Sequence, residues 1–160
     1  RLRGWKTAAE AVEKVRTERE TALGTPVFLI ANGRGVASSV GFYLKDKRFE
    51  GPGHPPIYTP ESQAIEDQFA FWPRYDQFIS LKPGQRQQGD PLFTEEAGYN
   101  PFHGRSALYI TDSEEDVAPS AITGGFEKTA LIACFDVQRR GWRMRQLRIF
   151  ECTNYHSRAL

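Results

Sequence analysis

The chain has 160 residues, the length of a single domain that is large enough to enclose a hydrophobic core. Its 21 basic and 20 acidic residues leave a net charge of +1, so the overall charge gives no case for nucleic-acid binding. No segment approaches the ~20 consecutive apolar residues of a membrane span, and two cysteines do not make a disulfide framework. We therefore expect one soluble domain, residues 1–160, with Cys134 and Cys152 as buried free thiols.

The first predicted element is an amphipathic helix from Trp5 to Ala22. Its apolar residues recur every three or four positions, which places them on one face. Gly24 and Pro26 end the helix, because glycine suits the position after a helix end and proline cannot continue the hydrogen-bond ladder.

A strand-loop-helix unit follows at 26–44. The apolar run at 27–31 is short enough for a buried strand, and the polar segment 32–35 contains two glycines. Apolar residues from Val36 to Leu44 then recur at helical spacing. The loop would lie at the carboxyl end of the strand, where open α/β sheets bind ligands.

The middle of the chain is less regular. Ile57–Thr59 is predicted to be a brief strand, and a helix that begins at Ser62 must end before Pro73. The segment 82–103 lacks periodicity and is interpreted as an insertion loop. Strand character returns at Ser106–Thr111 and is followed by a solvated acidic turn.

The last third, Phe126–Tyr155, predicts a long β-hairpin. With the turn at 139–141, Gln138 pairs with Trp142, and Cys134 lies opposite Gln146. In the return strand the apolar residues change from even positions, Trp142 and Met144, to odd positions, Leu147 and Ile149. This change predicts a bulge near Gln146. One face of the first strand is predicted to carry Leu131, Ala133, Phe135 and Val137.

This order of elements predicts an α/β fold, a two-layer or three-layer sandwich. Its mixed sheet is parallel at the start and ends in the antiparallel hairpin.

Two groups of residues are candidates for ligand binding. Gly33 and Gly35 are half of a dinucleotide fingerprint, but Ser38 stands where its third glycine would fall. A tight structural turn is therefore favoured over a nucleotide site. Asn32 and Arg34 are the residues that would contact a ligand at this loop. Arg34 could hold a phosphate or carboxylate, but a solvated side chain is slightly favoured.

The second group consists of Gln68 and Trp72. A flat aromatic ring beside an amide suits the face of a sugar, although a tryptophan in such a cluster more often belongs to the core.

The hairpin carries a cluster of arginines. A cluster of this kind suits anionic lipid headgroups or a lipid-linked phosphate. The equally favoured alternative is a charged edge strand that avoids pairing with other sheets. The arginines are Arg139, Arg140, Arg143, Arg145 and Arg148, of which the first four are the candidates for membrane or phosphate contact.

The sequence predicts no catalytic residues, no cofactor and no metal site. His54, His103 and His156 are scattered through loops and the C-terminal tail without ligand spacing. The acidic residues Glu61, Glu66 and Asp67 are too ordinary in density to identify a catalytic pair.

Four motifs occur in a distinctive order. They are Trp5 at the head of a helix, GFYL at 41–44, DQFAFWP at 67–73 and FECTNY at 150–155. In this order they resemble the soluble C-terminal domain of bacterial membrane glycosyltransferases. The family is the dolichyl-phosphate-mannose protein mannosyltransferase and aminoarabinose transferase type. The resemblance covers roughly residues 5–155 except the loop at 82–103.

The resemblance implies an extracytoplasmic, periplasmic domain joined to the transmembrane part of the same polypeptide. The parent enzyme would use a polyprenyl-phosphate-linked sugar, and its catalytic carboxylate would belong to the membrane part. The start at Arg1 instead of methionine also leads us to expect a longer protein. The domain is then expected to cover or shape the active site without transferring sugar alone.

The expected partners are the transmembrane part, the lipid-linked sugar and anionic lipid headgroups, but not nucleic acid. Two other hypotheses stay open at this point. One is a free-standing α/β enzyme that binds a nucleotide or phosphosugar at 32–35, and the other is a module that binds anionic lipid or a partner.

Overall fold

The computed structural model describes residues 3–51, 53–61, 74–78 and 100–156, and for Arg3 and Arg139 it describes the backbone. In chain order the elements are α1 (Arg3–Leu23), β1 (Phe28–Ala31), α2 (Arg34–Tyr43), a 3-10 helix (Tyr75–Gln77), β2 (Ala107–Thr111), α3 (Ser120–Thr123), β3 (Phe126–Arg139) and β4 (Trp142–Tyr155).

The strands form one sheet in the order β1-β2-β4-β3. β1 is parallel to β2, whereas β4 is antiparallel to both β2 and β3. The predicted α/β fold with a mixed sheet and a closing hairpin is therefore confirmed. The predicted strand at Ile57–Thr59 is reduced to isolated bridges. At the first of these, Tyr58 exchanges two backbone hydrogen bonds with the outer side of β1.

Helix α1 agrees with its prediction within two residues at each end. Gly24 follows it with a φ of +70° and donates from its N–H to the Glu20 carbonyl at 2.8 Å. Polar groups then tie the helix to the strand. The Arg16 guanidinium donates to the carbonyl of Val27 at 3.1 Å, and the Glu20 carboxylate accepts from the Val27 N–H at 2.9 Å. Because Arg16 is buried, its hydrogen bond to Val27 and its ion pair with Glu20 at 3.6 Å replace the water it loses.

One face of the sheet carries α1 and α2. The core between the helices and the sheet is mainly aliphatic. Small residues such as Ala9 and Ala37 let both helices approach the strands. The sheet contributes Leu29, Ala31, Leu108, Ile110, Leu147 and Ile149. Strands β1 and β2 are buried on both faces, so their sequences read as continuous apolar runs and not as alternating ones.

The opposite face is covered by aromatic residues from irregular segments and by α3. Phe28 of β1 lies at the centre, with its ring centroid 4.7 Å from that of Phe102 and 5.4 Å from that of Tyr75. Phe102 belongs to the end of the predicted loop at 82–103 and is fully buried, so this end of the loop is core. Tyr75 of the predicted aromatic cluster is also buried.

The hairpin exists as predicted, but its register differs. Arg139 pairs with Trp142 across a two-residue turn, so Cys134 lies opposite Arg148 and not opposite Gln146. The return strand has its extra residue at Met144, two positions before the predicted bulge. A second extra residue, Ile132 in β3, places Leu131 opposite Phe150 on the aromatic face of the sheet. Leu131 therefore does not share a face with Ala133, Phe135 and Val137.

Both cysteines are free, but only Cys152 is buried, while Cys134 is exposed. The prediction of a buried thiol is thus wrong for Cys134, which lies on the outer strand. In the described part of the chain no helix combines the length and the apolar character that a bilayer crossing demands. The predicted helix from Ser62 and most of the 82–103 loop lie outside the described residues.

Candidate functional site at the carboxyl edge of the sheet

The carboxyl ends of β1 and β2 meet at one edge of the sheet, because the two strands are parallel neighbours. Each strand is followed directly by a polar residue, Asn32 after β1 and Asp112 after β2. The side-chain amide of Asn32 donates to the Asp112 carboxylate at 2.8 Å. The backbone N–H of Asn32 donates to the Ile110 carbonyl at 2.9 Å. This bond fixes the backbone from which the side-chain amide of Asn32 projects.

Arg145 of β4 completes this arrangement. Its guanidinium donates to the second oxygen of Asp112 at 2.9 Å and lies 5.0 Å from the centre of the Trp5 ring. Asn32, Asp112 and Arg145 therefore form one connected group, which we call the edge network. The side chains of Asp112 and Arg145 are 32% and 44% exposed, so the network is open to solvent.

Helix α2 begins beside the edge network. It starts at Arg34, earlier than predicted, so Arg34 is a half-buried residue of the first helical turn and not the tip of a loop. The first N–H groups of a helix have no partner within it and carry a partial positive charge. Added methyl groups at Gly33 and Gly35 would meet no atom within 4 Å, so open space surrounds this helix start.

The two glycines do not make the tight turn that the sequence favoured. Gly33 has an extended backbone with a φ of −179°, and Gly35 is not among the glycines with positive φ. Any residue adopts these conformations. The glycines keep the approach to the helix start free of side chains, which is a steric role and not a conformational one.

The edge network places the Asn32 amide and the Arg145 guanidinium on the two oxygens of Asp112, beside the start of α2. Asp112 already accepts two hydrogen bonds, and an asparagine amide does not titrate. An anionic group that approached the start of α2 would meet the backbone amides of the helix and the guanidinium of Arg145. The negative charge of Asp112 would repel it. Within the described ranges no group of three or more side chains has the composition of a metal site.

Of the predicted site residues that the structure describes, Asn32 and Arg145 meet in the edge network. Arg140 and Arg143 are exposed at the end of the hairpin. Gln68 and Trp72 lie outside the described residues, as does the side chain of Arg139. Sequence reasoning missed Asp112, although its place directly after a strand, like that of Asn32, was a usable signal.

A second polar cluster lies at the opposite, amino end of the parallel strands. Arg105 forms a two-pronged ion pair with Glu50 at 2.8 and 2.9 Å, and its guanidinium lies over the rings of Phe28 and Phe102. The hydrogen bond from Arg105 lowers the pKa of the Glu50 carboxyl below its usual range. This ion pair anchors the segment after α2 to the aromatic core.

His54 belongs to the same cluster. Its Nδ1 lies 2.7 Å from the Tyr58 hydroxyl, and its ring stacks on Phe78 with a centroid distance of 3.6 Å. Burial lowers the pKa of His54, so the neutral imidazole is favoured. Burial also raises the pKa of Tyr58. The histidine is a packed aromatic residue, and the cluster serves the fold.

No family model, curated protein or solved structure matches this chain. The ordered sequence motifs and the geometry of the sheet edge are therefore the basis for a proposal of function.

Proposed function

We propose that this chain is the extracytoplasmic accessory domain of a bacterial membrane glycosyltransferase. The parent enzyme would transfer a sugar from a polyprenyl-phosphate donor to an acceptor. The observation that carries the proposal is the ordered series of motifs at Trp5, 41–44, 67–73 and 150–155. The domain would cover or shape the active site of the membrane part and would not transfer sugar alone.

The described motif residues have roles in the fold that support this proposal. Gly41 is buried, and a methyl group added there would lie at an ordinary contact distance of 3.4 Å from Pro56, so this position of α2 faces the segment that follows the helix. Phe150, Cys152 and Tyr155 of the last motif belong to the aromatic core. The resemblance therefore involves residues that build the domain, and not only exposed positions that tolerate change.

The sheet edge at the carboxyl ends of β1 and β2 supplies a chemical reason for the domain to lie near a lipid-linked sugar donor. A polyprenyl-phosphate donor presents a phosphate next to its sugar, and the start of α2 with Arg145 offers amide and guanidinium donors. In the proposed enzyme this edge would face the donor or acceptor cavity of the membrane part.

The location can be tested on the full-length protein in intact bacterial cells. A membrane-impermeant maleimide should label Cys134, because this thiol is exposed, and should leave buried Cys152 unlabelled. Mass spectrometry of the labelled peptides reads both sites, and Cys134→Ser is the control. Labelling of Cys134 only after cell lysis would contradict an extracytoplasmic location.

The activity requires a second experiment. Membranes that contain the full-length protein should transfer labelled sugar from a polyprenyl-phosphate donor, and deletion of residues 1–160 should reduce this transfer. The isolated chain should transfer none. A full-length coding sequence without hydrophobic spans would overturn the proposal.

A second candidate function is favoured by the open helix start beside the edge network. A free-standing enzyme of the α/β class could bind a nucleotide or phosphosugar there, at the edge that such sheets use. Calorimetric titration of the 160-residue chain with nucleotides and nucleotide sugars tests it. Binding that weakens in Arg34→Ala and Arg145→Ala would favour this candidate, and absence of binding would remove it.

A further inference from the structure

We propose that the end of the β3–β4 hairpin, residues 140–144, docks on the surface of an anionic lipid bilayer. This segment, which we call the hairpin tip, combines two kinds of exposed side chain. Trp142 and Met144 are 77% and 60% exposed, and Arg140 and Arg143 are exposed beside them. Tryptophan is enriched at membrane-water interfaces, because its ring is apolar and its N–H is polar.

The turn and the bulge of the hairpin explain why these side chains are exposed. Arg140, with a φ of 50°, and Gly141, with a φ of 79°, form the two-residue turn. Met144 is the extra residue of β4 and has no partner in β3. The core contact of the hairpin ends at Val137, which is 5% exposed, so the tip extends beyond the packed part of the sheet.

Charge complementarity identifies an anionic surface as the occupant. The hairpin tip contains two arginines and no acidic residue. Arg145 and Arg148 are committed to Asp112 and Asp116, whereas Arg140 and Arg143 form no ion pair within the described ranges. Each basic residue near an anionic membrane strengthens binding by about fivefold, which corresponds to about 1 kcal/mol.

The start of α1 lies next to the hairpin tip. Gly4 packs against Val137 and Gln138, and the ring of Trp5 contacts Arg145. This step rests on the proposed function, in which the transmembrane part precedes the domain. The beginning of the domain would then lie near the bilayer, and the hairpin tip would lie on the same side.

Vesicle binding of the 160-residue chain tests the inference without any sugar donor. We expect co-sedimentation with vesicles of equal parts phosphatidylcholine and phosphatidylglycerol, but not with phosphatidylcholine alone. Binding should weaken at high salt, because the attraction is screened. The double substitution Arg140→Ala and Arg143→Ala should reduce affinity by about twenty-five-fold, the product of two fivefold effects.

The aromatic residue is tested separately. Trp142→Ala should weaken binding several-fold, and tryptophan emission should shift to shorter wavelength on vesicle addition in the native chain but not in Trp142→Phe. Phe42→Ala is the matched control, because Phe42 is 68% exposed and belongs to α2, not to the hairpin. Lys14→Ala is the control for charge, since Lys14 is an exposed residue of α1. Circular dichroism confirms that every variant is folded.

Three results would overturn the inference. They are absence of binding to anionic vesicles at low salt, equal binding to neutral vesicles, and binding that the tip substitutions leave unchanged. Arginine-dependent binding to duplex DNA, without an emission shift on vesicles, would assign the tip to nucleic acid. Maleimide labelling of Cys134 is independent of these results, so failure of vesicle binding overturns the hairpin inference alone.

Discussion

The hydroxyl of Tyr155 donates a hydrogen bond of 2.5 Å to the carboxylate of Glu61, and both side chains are buried. The bond joins the end of β4 to a segment 94 residues earlier in the chain. Burial and the adjacent carboxylate both raise the pKa of Tyr155, so the neutral phenol is the donor across the physiological range.

Tyr155→Phe should therefore lower the free energy of unfolding by about 1–3 kcal/mol, because a buried carboxylate loses a donor. Urea denaturation followed by circular dichroism measures this change. The half-buried Tyr43 provides the control, and Tyr43→Phe should stay within about 0.5 kcal/mol of the native chain. An equal effect of the two substitutions would show that the hydrogen bond contributes little.

The contact between α1 and β3 makes a second prediction. A methyl group added at Gly4 would lie 2.6 Å from a Val137 methyl carbon and 2.9 Å from the Gln138 carbonyl oxygen. Gly4→Ala should destabilise the protein by about 1–3 kcal/mol through overpacking. The sign of this stability change is informative, because replacing glycine by alanine inside a helix normally stabilises it by about 1 kcal/mol.

Gly35→Ala in α2 is the matched substitution. The added methyl group meets no atom within 4 Å, so this change should stabilise the protein by about 0.4–1 kcal/mol. Thermal melting of both variants gives the comparison. A rise in stability for Gly4→Ala would mean that α1 does not pack on β3 as closely as described.

The two thiols should differ in reactivity. A thiol reagent should modify Cys134 in the native protein and Cys152 only after unfolding, since the first is exposed and the second is buried. Native Cys152 should react at least about a thousandfold more slowly than in urea, because its exposure requires unfolding. Cys134→Ser should abolish native labelling, and Cys152→Ser should leave it intact. Rapid modification of both thiols in the native state would contradict the burial of Cys152 in β4.

Stability should fall at alkaline pH. Burial raises the pKa of Cys152 to about 12, and it raises the pKa of Tyr109 to about 12. In the unfolded chain these groups lose their protons near pH ~8.5 and ~10, so the unfolded state binds fewer protons there. The stabilisation is complete below the unfolded pKa values and is lost progressively towards pH 12.

Urea titrations between neutral and alkaline pH measure this dependence. Cys152→Ala should flatten the decrease that begins near pH ~8.5, while the later decrease due to Tyr109 should persist. Cys134→Ser is the control, because it removes the exposed thiol and leaves the buried Cys152 in place. A decrease of equal slope in Cys152→Ala and the native chain would exclude the thiol as a cause.

Most regular elements could be predicted because their signals are local. The helical stripe from Trp5, the stop at Gly24 and the apolar run at 27–31 each depend on neighbours in sequence. Helix α3 escaped prediction because its four residues are too few to show a period.

The edge network and the hairpin register depend on non-local facts. Asp112 becomes a partner of Asn32 only once β1 and β2 are adjacent and parallel, which no single segment reveals. The register depends on extra residues at Ile132 and Met144, and each bulge reverses the parity that sequence reasoning follows. The prediction of one bulge was correct in kind, but its position was two residues away.

The bulge at Ile132 has a consequence for self-association. β3 is the edge strand of the sheet, and among the described residues no further strand pairs with its outer side. A regular edge of 14 residues with Leu131 and Ile132 both 38% exposed would be a template for aggregation between copies of the chain. The extra residue interrupts the regular spacing of amide and carbonyl groups at these two apolar positions. We therefore expect the irregularity in β3 to keep the protein monodisperse at high concentration.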